Sequence, residues 1–181
     1  MNKFFKEIIN NVLYLLLVLL SSYLLITFIG QRTVVDGHSM ENTLQNGDNL
    51  IVDKISYRFK DPERFDVIVF PHYDNSGEKF YIKRVIGLPG EKVFIDSNGN
   101  IYINDIVLRE HYGKERIQNA GLASDVLELG PNEYFVLGDN RNNSSDSREP
   151  TVGLVNKNKI IGKAWVRIFP LNKFGFVSSI N

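Results

Sequence analysis

The chain opens with a stretch that is apolar without a polar face and continues in short runs that alternate. From Ile8 to Gln31 no residue is charged, and Val12 to Ile29 is almost continuously apolar. A helix of about 20 such residues crosses the hydrocarbon core of a bilayer, so the pattern predicts one transmembrane helix. A helix of a soluble core would show a polar stripe over that length. Lys3 and Lys6 precede the stretch and Arg32 stands alone after it. That bias places the N-terminus in the cytoplasm and the remainder outside. The apolar core exceeds the roughly 7–15 residues of a cleavable signal peptide. Thr27-Phe28-Ile29-Gly30-Gln31 also offers bulk where a cleavage site needs small residues. Residues 1–30 are therefore expected to be a cytoplasmic tip and an uncleaved anchor.

Beyond Gln31 the runs Leu50–Lys54, Phe65–Phe70, Tyr81–Gly87, Lys92–Asp96 and Ile160–Phe169 carry β-branched and aromatic residues between turn residues. Shorter runs of the same kind are Ile101–Ile103, Ile106–Leu108 and Tyr134–Leu137. Ser97-Asn98-Gly99-Asn100 reads as a hairpin turn, and the polar Glu110–Val126 as a long loop with one helical turn. The expectation is a mainly β domain over residues 31–181, a curled sheet with a hairpin or loop insertion around 91–133.

Composition narrows the chemistry. Lys plus Arg and Asp plus Glu each number 21 among 181 residues, without the basic footprint that nucleic acid requires. There is no cysteine, which removes disulfides, thiolate metal sites and a cysteine nucleophile. No His or carboxylate cluster has metal-ligand spacing, so neither metal nor cofactor is expected.

Three segments place reactive residues among turn residues: Asp36–Leu44, Phe80–Glu91 and Gly138–Arg148. Along an extended strand Tyr81, Lys83 and Val85 share one face, and Phe80, Ile82, Arg84 and Ile86 the other. Apolar neighbours on its own face desolvate the Lys83 ammonium and lower its pKa. Near neutrality at pH 8 requires a fall of about two units, roughly 3 kcal/mol, and a neutral lysine can take a proton from a serine hydroxyl. Ser39 follows Gly37 in a polar turn, where glycine lets an amide N–H aim at a developing oxyanion. Taken alone, Lys83 reads more often as a lysine whose head snorkels to water, and Ser39 as an ordinary turn serine. His38 adjoins Ser39 but faces the opposite way on an extended chain, which disfavours a histidine triad; His72 and His111 sit in polar loops. Ser76-Gly77-Glu78-Lys79 matches S-x-x-K without its companion motifs, and the sequons at Asn142 and Asn143 are read as incidental.

Together the three segments resemble the bacterial type I signal peptidases (leader peptidases), from the anchor to about Phe169. The most specific parts are Tyr81-Ile82-Lys83-Arg84 with Gly87-Leu88-Pro89-Gly90, and Gly138–Arg148 followed by Gly153. The resemblance implies a signal-peptidase-like fold and a membrane serine endopeptidase that cuts exported precursors after a small-x-small motif. It implies Ser39 as nucleophile and Lys83 as general base, with the Ser39 N–H in the oxyanion hole. Ser144 would orient the lysine, while Asp139, Asp146, Arg148 and Arg84 hold the site by ion pairs. Val35, Met40, Leu44, Tyr81 and Ile82 would line the pockets for small residues. The implied partners are signal-peptide-bearing precursors and the lipid bilayer, the precursor lying as a strand along the Tyr81–Ile86 edge. Two departures are Asn42, where the family commonly has proline, and Gly37, which lacks a hydroxyl that some members use as a second oxyanion donor. Gly37, the single anchor and the short domain resemble the Gram-positive form. Soluble serine–lysine autoproteases of the SOS-repressor kind and a non-catalytic anchored β domain are the alternatives.

Overall fold

The computed structural model describes residues 3–28, 30–74 and 77–177. Its first element, α1 (Lys3–Phe28), is a helix of 26 residues, about 39 Å long at ~1.5 Å per residue. None of its apolar span Phe5–Tyr23 is buried against the rest of the chain. Leu13, Tyr14 and Leu17 are exposed. An apolar helix left uncovered on every side fits a membrane anchor and not the core helix of a soluble protein.

After α1 the described chain is mainly β. In order come β1 (Gly30–Val34), β2 (Asn49–Asp53), a one-turn helix α2 (Ser56–Phe59), β3 (Val67–Asp74), β4 (Gly77–Gly87) and β5 (Lys92–Ile95). Then follow β6 (Ile101–Ile103), β7 (Ile106–Val107), β8 (Leu127–Glu128), β9 (Glu133–Leu137), β10 (Val155–Asn156), β11 (Gly162–Phe169) and β12 (Gly175–Phe176). The large sheet runs β1-β2-β11-β3-β4-β9-β10, with β12 on β11, and the small one runs β7-β6-β5-β8. Two register shifts in β11 and one in β4 bend the large sheet.

Alternation along β4 decides what its two faces meet. Ile82 packs with Val35, Met40, Leu44, Leu50 and Val52 in one core cluster. Val85 packs with Ile68, Phe70, Tyr134 and Val136 in another. The small sheet closes a third cluster with Ile86, Val93, Ile95, Phe135 and Leu137. Its hairpin forms where Ser97–Asn100 predicts one: the Asp96 carboxylate accepts the N–H groups of Asn98 and Asn100, and Ile95 faces Ile101. The Glu110–Val126 loop contains a single 3-10 turn, Gly121–Ser124.

Register corrects one expectation. β9 pairs with β4 from Arg84 onward, with Arg84 opposite Leu137. The Arg84–Ile86 part of the expected free edge is therefore covered. The described part of β4 without a second partner is Gly77–Lys83, held on its other side by β3.

Candidate active site

Lys83 sits where β4 is about to be covered by β9, opposite Ile68 of β3. Only 3% of it is exposed. Its Nζ lies 2.8 Å from Ser39 Oγ, 3.1 Å from the Ile82 carbonyl and 4.9 Å from the centre of the Tyr81 ring. Burial lowers the lysine pKa from 10.5 to about 8, against the opposing fields of Asp146, Asp139 and Glu149. A desolvated amine beside a hydroxyl is chemically a base next to a weak acid.

Ser39 is carried by the turn that leaves β1. Val35 and Asp48 close the base of this turn through a backbone hydrogen bond of 2.8 Å. Gly37 then takes φ +103°, a left-handed value that suits glycine, and its N–H donates to Asn46 Oδ1 at 2.9 Å. From the other side, Asn140 N–H donates to the Ser39 carbonyl at 3.0 Å, and its side-chain amide to the His38 carbonyl at 3.1 Å. Sequence reasoning did not single out Asn140. Its only signal is its place inside the Gly138–Arg148 segment. The Ser39 N–H donates to no acceptor among the described residues.

Three ion pairs brace the Gly138–Arg148 segment: Arg84 with Asp139, Arg148 with Asp146, and Arg141 with Glu110 at 2.8 Å. Arg84 Nε and Nη2 donate to the two oxygens of Asp139 at 2.8 and 2.6 Å, with both side chains wholly buried. The same guanidinium donates to Phe65 O and Thr43 Oγ1, each at 2.9 Å. It lies 3.9 Å over the Tyr112 ring. Arg148 Nε and Nη2 hold Asp146 at 2.8 Å each, and Asp146 also accepts the Gly138 N–H at 3.0 Å. Thr43 and Tyr112 join the brace without having been expected, because nothing local marks them.

Ser144 lines the same groove as Ser39 and Lys83. Its buried hydroxyl has no hydrogen-bond partner among the described residues. Gly138 is pressed against it: a Cβ there would lie 2.2 Å from Ser144 Oγ and 2.5 Å from the Ser39 carbonyl oxygen.

The groove has a volume of about 610 Å³. Thr33–Met40 form one wall, Lys79–Lys83 the other, and Asn142–Ser145 with Glu149 line it beside the Ser39–Lys83 pair. Both walls end in strand edges with one neighbour each, β2 behind β1 and β3 behind this part of β4. Val35, Met40, Tyr81 and Ile82 reach the groove, whereas Leu44 is buried in the cluster with Met40 and does not line it. His38 Nδ1 lies 2.7 Å from Glu41 Oε1, and Glu41 also accepts from Lys114 at 2.9 Å. The imidazole is thus engaged with Glu41 and Ser39 with Lys83. Ser76, of the second serine–lysine pattern, lies outside the described residues. No three His, Asp or Glu side chains converge as metal ligands among the described residues.

Known proteins similar to this chain are signal peptidases. The family model described as signal peptidase, peptidase S26, matches residues 7–169. A probable signal peptidase I-2 of Synechocystis sp. is 41% identical over 161 residues, which cover 84% of this chain and 69% of that protein. Signal peptidase I P of Bacillus subtilis subsp. natto is 36% identical, over 93% of this chain and 92% of its own. A crystal structure of a signal peptidase I from Enterococcus faecalis matches with a TM-score of 0.46 and 33% identity, over 57% of this chain and 97% of that one.

Proposed function

The chain belongs to the signal peptidase family, peptidase S26, and from that premise we propose that it is a membrane-anchored endopeptidase that removes signal peptides through a Ser39–Lys83 dyad. The observation that carries the reading is the 2.8 Å approach of Lys83 Nζ to Ser39 Oγ, made by a lysine that burial has brought to a pKa of about 8.

The precursor enters as an extended strand between the free edges of β1 and β4. Main-chain hydrogen bonds to both walls supply affinity, and Val35, Met40, Tyr81 and Ile82 leave room only for small side chains at alternate positions before the cut. Neutral Lys83 accepts the Ser39 proton as Oγ attacks the scissile carbonyl carbon. The oxygen becomes an oxyanion that accepts a hydrogen bond from the Ser39 N–H. Collapse breaks the C–N bond, Lys83 returns its proton to the departing amine, and the signal peptide remains as a Ser39 ester. Lys83 then takes a proton from a water that attacks the ester carbonyl and returns it to Ser39 Oγ as the acyl–oxygen bond breaks; the peptide leaves as a carboxylic acid that ionises to solvent. Ser144 acts as a positioning residue that accepts a hydrogen bond from the lysine when it is charged. Asp139 with Arg84 and Asp146 with Arg148 hold the two loops in register.

The anchor determines where this chemistry occurs. Nine residues separate Gly30 from Ser39, so the nucleophile lies at most about 30 Å from the end of the helix. With Lys3 and Lys6 inside, the groove faces the outer membrane surface, where a translocated precursor tethered by its own apolar segment presents its cleavage site. Purified full-length protein is expected to cleave a model precursor, and Ser39→Ala and Lys83→Arg to be inactive, since arginine stays protonated. Robust cleavage by either variant removes the dyad from the mechanism.

A further inference from the structure

The parts of the groove differ in chemistry. The two strand walls bring the apolar side chains, Val34, Val35, Met40, Phe80, Tyr81 and Ile82, among the polar Thr33, Asp36, His38 and Lys79. The third part is Asn142, Asn143, Ser144, Ser145 and Glu149, without one apolar side chain. The inserted strand cannot continue along β4 past Lys83, because β9 takes that edge from Arg84. The Asn142–Ser145 stretch and Glu149 line the groove with the Ser39–Lys83 pair, and they are the surface onto which the residues after the cut would turn.

Glu149 is the charged group on that surface. Asp139 and Asp146, the other carboxylates near the dyad, are buried and each held by two arginine N–H groups. The Glu149 carboxylate is exposed and has no hydrogen-bond or ion-pair partner among the described residues. Its backbone is fixed: the N–H donates to Asp146 O at 2.9 Å, and the carbonyl accepts from Val152 and Gly153 at 3.1 and 2.9 Å. The side chain thus starts from a fixed point on the groove, and the field of its carboxylate reaches Lys83. The other charged or titratable groups on the groove are Asp36, His38, Lys79 and Lys83; of these, Lys79 lies on β4 four residues before Lys83 and His38 is bound to Glu41.

We propose that Glu149 is a specificity-determining residue for the leaving side, favouring precursors whose first residues after the cut are cationic and disfavouring acidic ones. The inference rests on the proteolytic reading above. An ordinary solvated surface glutamate would give no such selectivity. One unit charge met at a partly screened distance of several ångströms changes kcat/KM by about three- to tenfold at low ionic strength, and added salt narrows the difference.

The test uses full-length protein in detergent and three precursors identical except for Lys, Gln or Glu at the second position after the cut. Wild type is expected to rank Lys above Gln above Glu. Glu149→Gln levels the ratio of Lys to Glu precursors and Glu149→Lys reverses it. Glu128→Gln, which removes a surface partner of Lys92 outside the groove, leaves it unchanged. A ratio cancels any common effect of Glu149 on Lys83, and cleavage of the Gln precursor reports that each variant is folded. Equal rates for Lys and Glu precursors in wild type, or an unchanged ratio in Glu149→Gln, overturn the proposal while leaving the peptidase intact. Failure of wild type to cleave the Gln precursor overturns the proteolytic reading and the proposal with it.

Discussion

Raising the pH through the alkaline range is the perturbation that addresses the dyad most directly. Lys83 has a pKa of about 8, so about a tenth of the protein carries the neutral amine at pH 7 and about nine tenths at pH 9. If the neutral amine is the base, kcat/KM rises by about tenfold between those values and levels above them. The sign follows from the cause: burial disfavours the ammonium, whereas Asp146, Asp139 and Glu149 favour it without offsetting the burial. Glu149→Gln removes one opposing field and moves the inflection below that of wild type. The assay is initial-rate cleavage of a model precursor in detergent at constant ionic strength, with a precursor chosen to lack groups titrating in the window. A flat profile from pH 7 to 9 refutes the reasoning. So does an inflection in the ordinary histidine range, about 6.5, that disappears in His38→Ala.

Two further substitutions probe the packing around that lysine. Gly138→Ala is expected to abolish cleavage, because its Cβ would fall 2.2 Å from Ser144 Oγ and 2.5 Å from the Ser39 carbonyl; a rate within a few-fold of wild type shows that the loop can retreat without losing the dyad. Lys83→Met is expected to be inactive and yet more stable at neutral pH. With a folded pKa of about 8 against an ordinary 10.5, the unfolded chain binds more protons between those values, so the lysine penalises folding below about pH 8. The penalty is at most about 3 kcal/mol at pH 7 and is gone above the ordinary value. Denaturant midpoints that match wild type at pH 7 refute the burial argument.

Some of this arrangement is legible along the chain and some arises only on folding. The apolar helix is plain because eighteen residues from Val12 to Ile29 lack a polar face, and no tertiary contact is needed to read them. The opposite roles of Lys83 and Arg84 follow from strand alternation, a strictly local rule. β1 escapes notice because Gly30–Val34 follows the apolar stretch in sequence and is mostly exposed, leaving no alternation to see. β10 and β12 have two residues each, too few for a period. The length of the free β4 edge depends on where Leu137 pairs, and that register is set across more than fifty residues by packing. The grip of Asn140 on the turn of Ser39 is likewise a long-range contact, to a carbonyl 102 residues away. The pairing of Ser39 with Lys83 was suggested by family resemblance. The 2.8 Å separation emerges only when the β1 turn and β4 face each other across the groove.

Lys83 and Arg84 are adjacent, carry the same formal charge and are both almost fully buried, yet the fold treats them differently. Arg84 faces Asp139, which meets its fork with two hydrogen bonds, and Thr43 and Phe65 take further N–H groups. A guanidinium keeps its charge and needs such partners when buried. Lys83 faces the other way, toward Tyr81 and Ser39, where no carboxylate makes contact with it. The nearby Asp146 is already engaged by Arg148 and the Gly138 N–H. Asp139 and Asp146 are thus each committed to an arginine, and the lysine is buried with a hydroxyl for a neighbour and no carboxylate in contact. The arginine clamps do more than hold loops in place. By occupying Asp139 and Asp146, they leave the burial of Lys83 only partly offset, and its pKa falls to about 8.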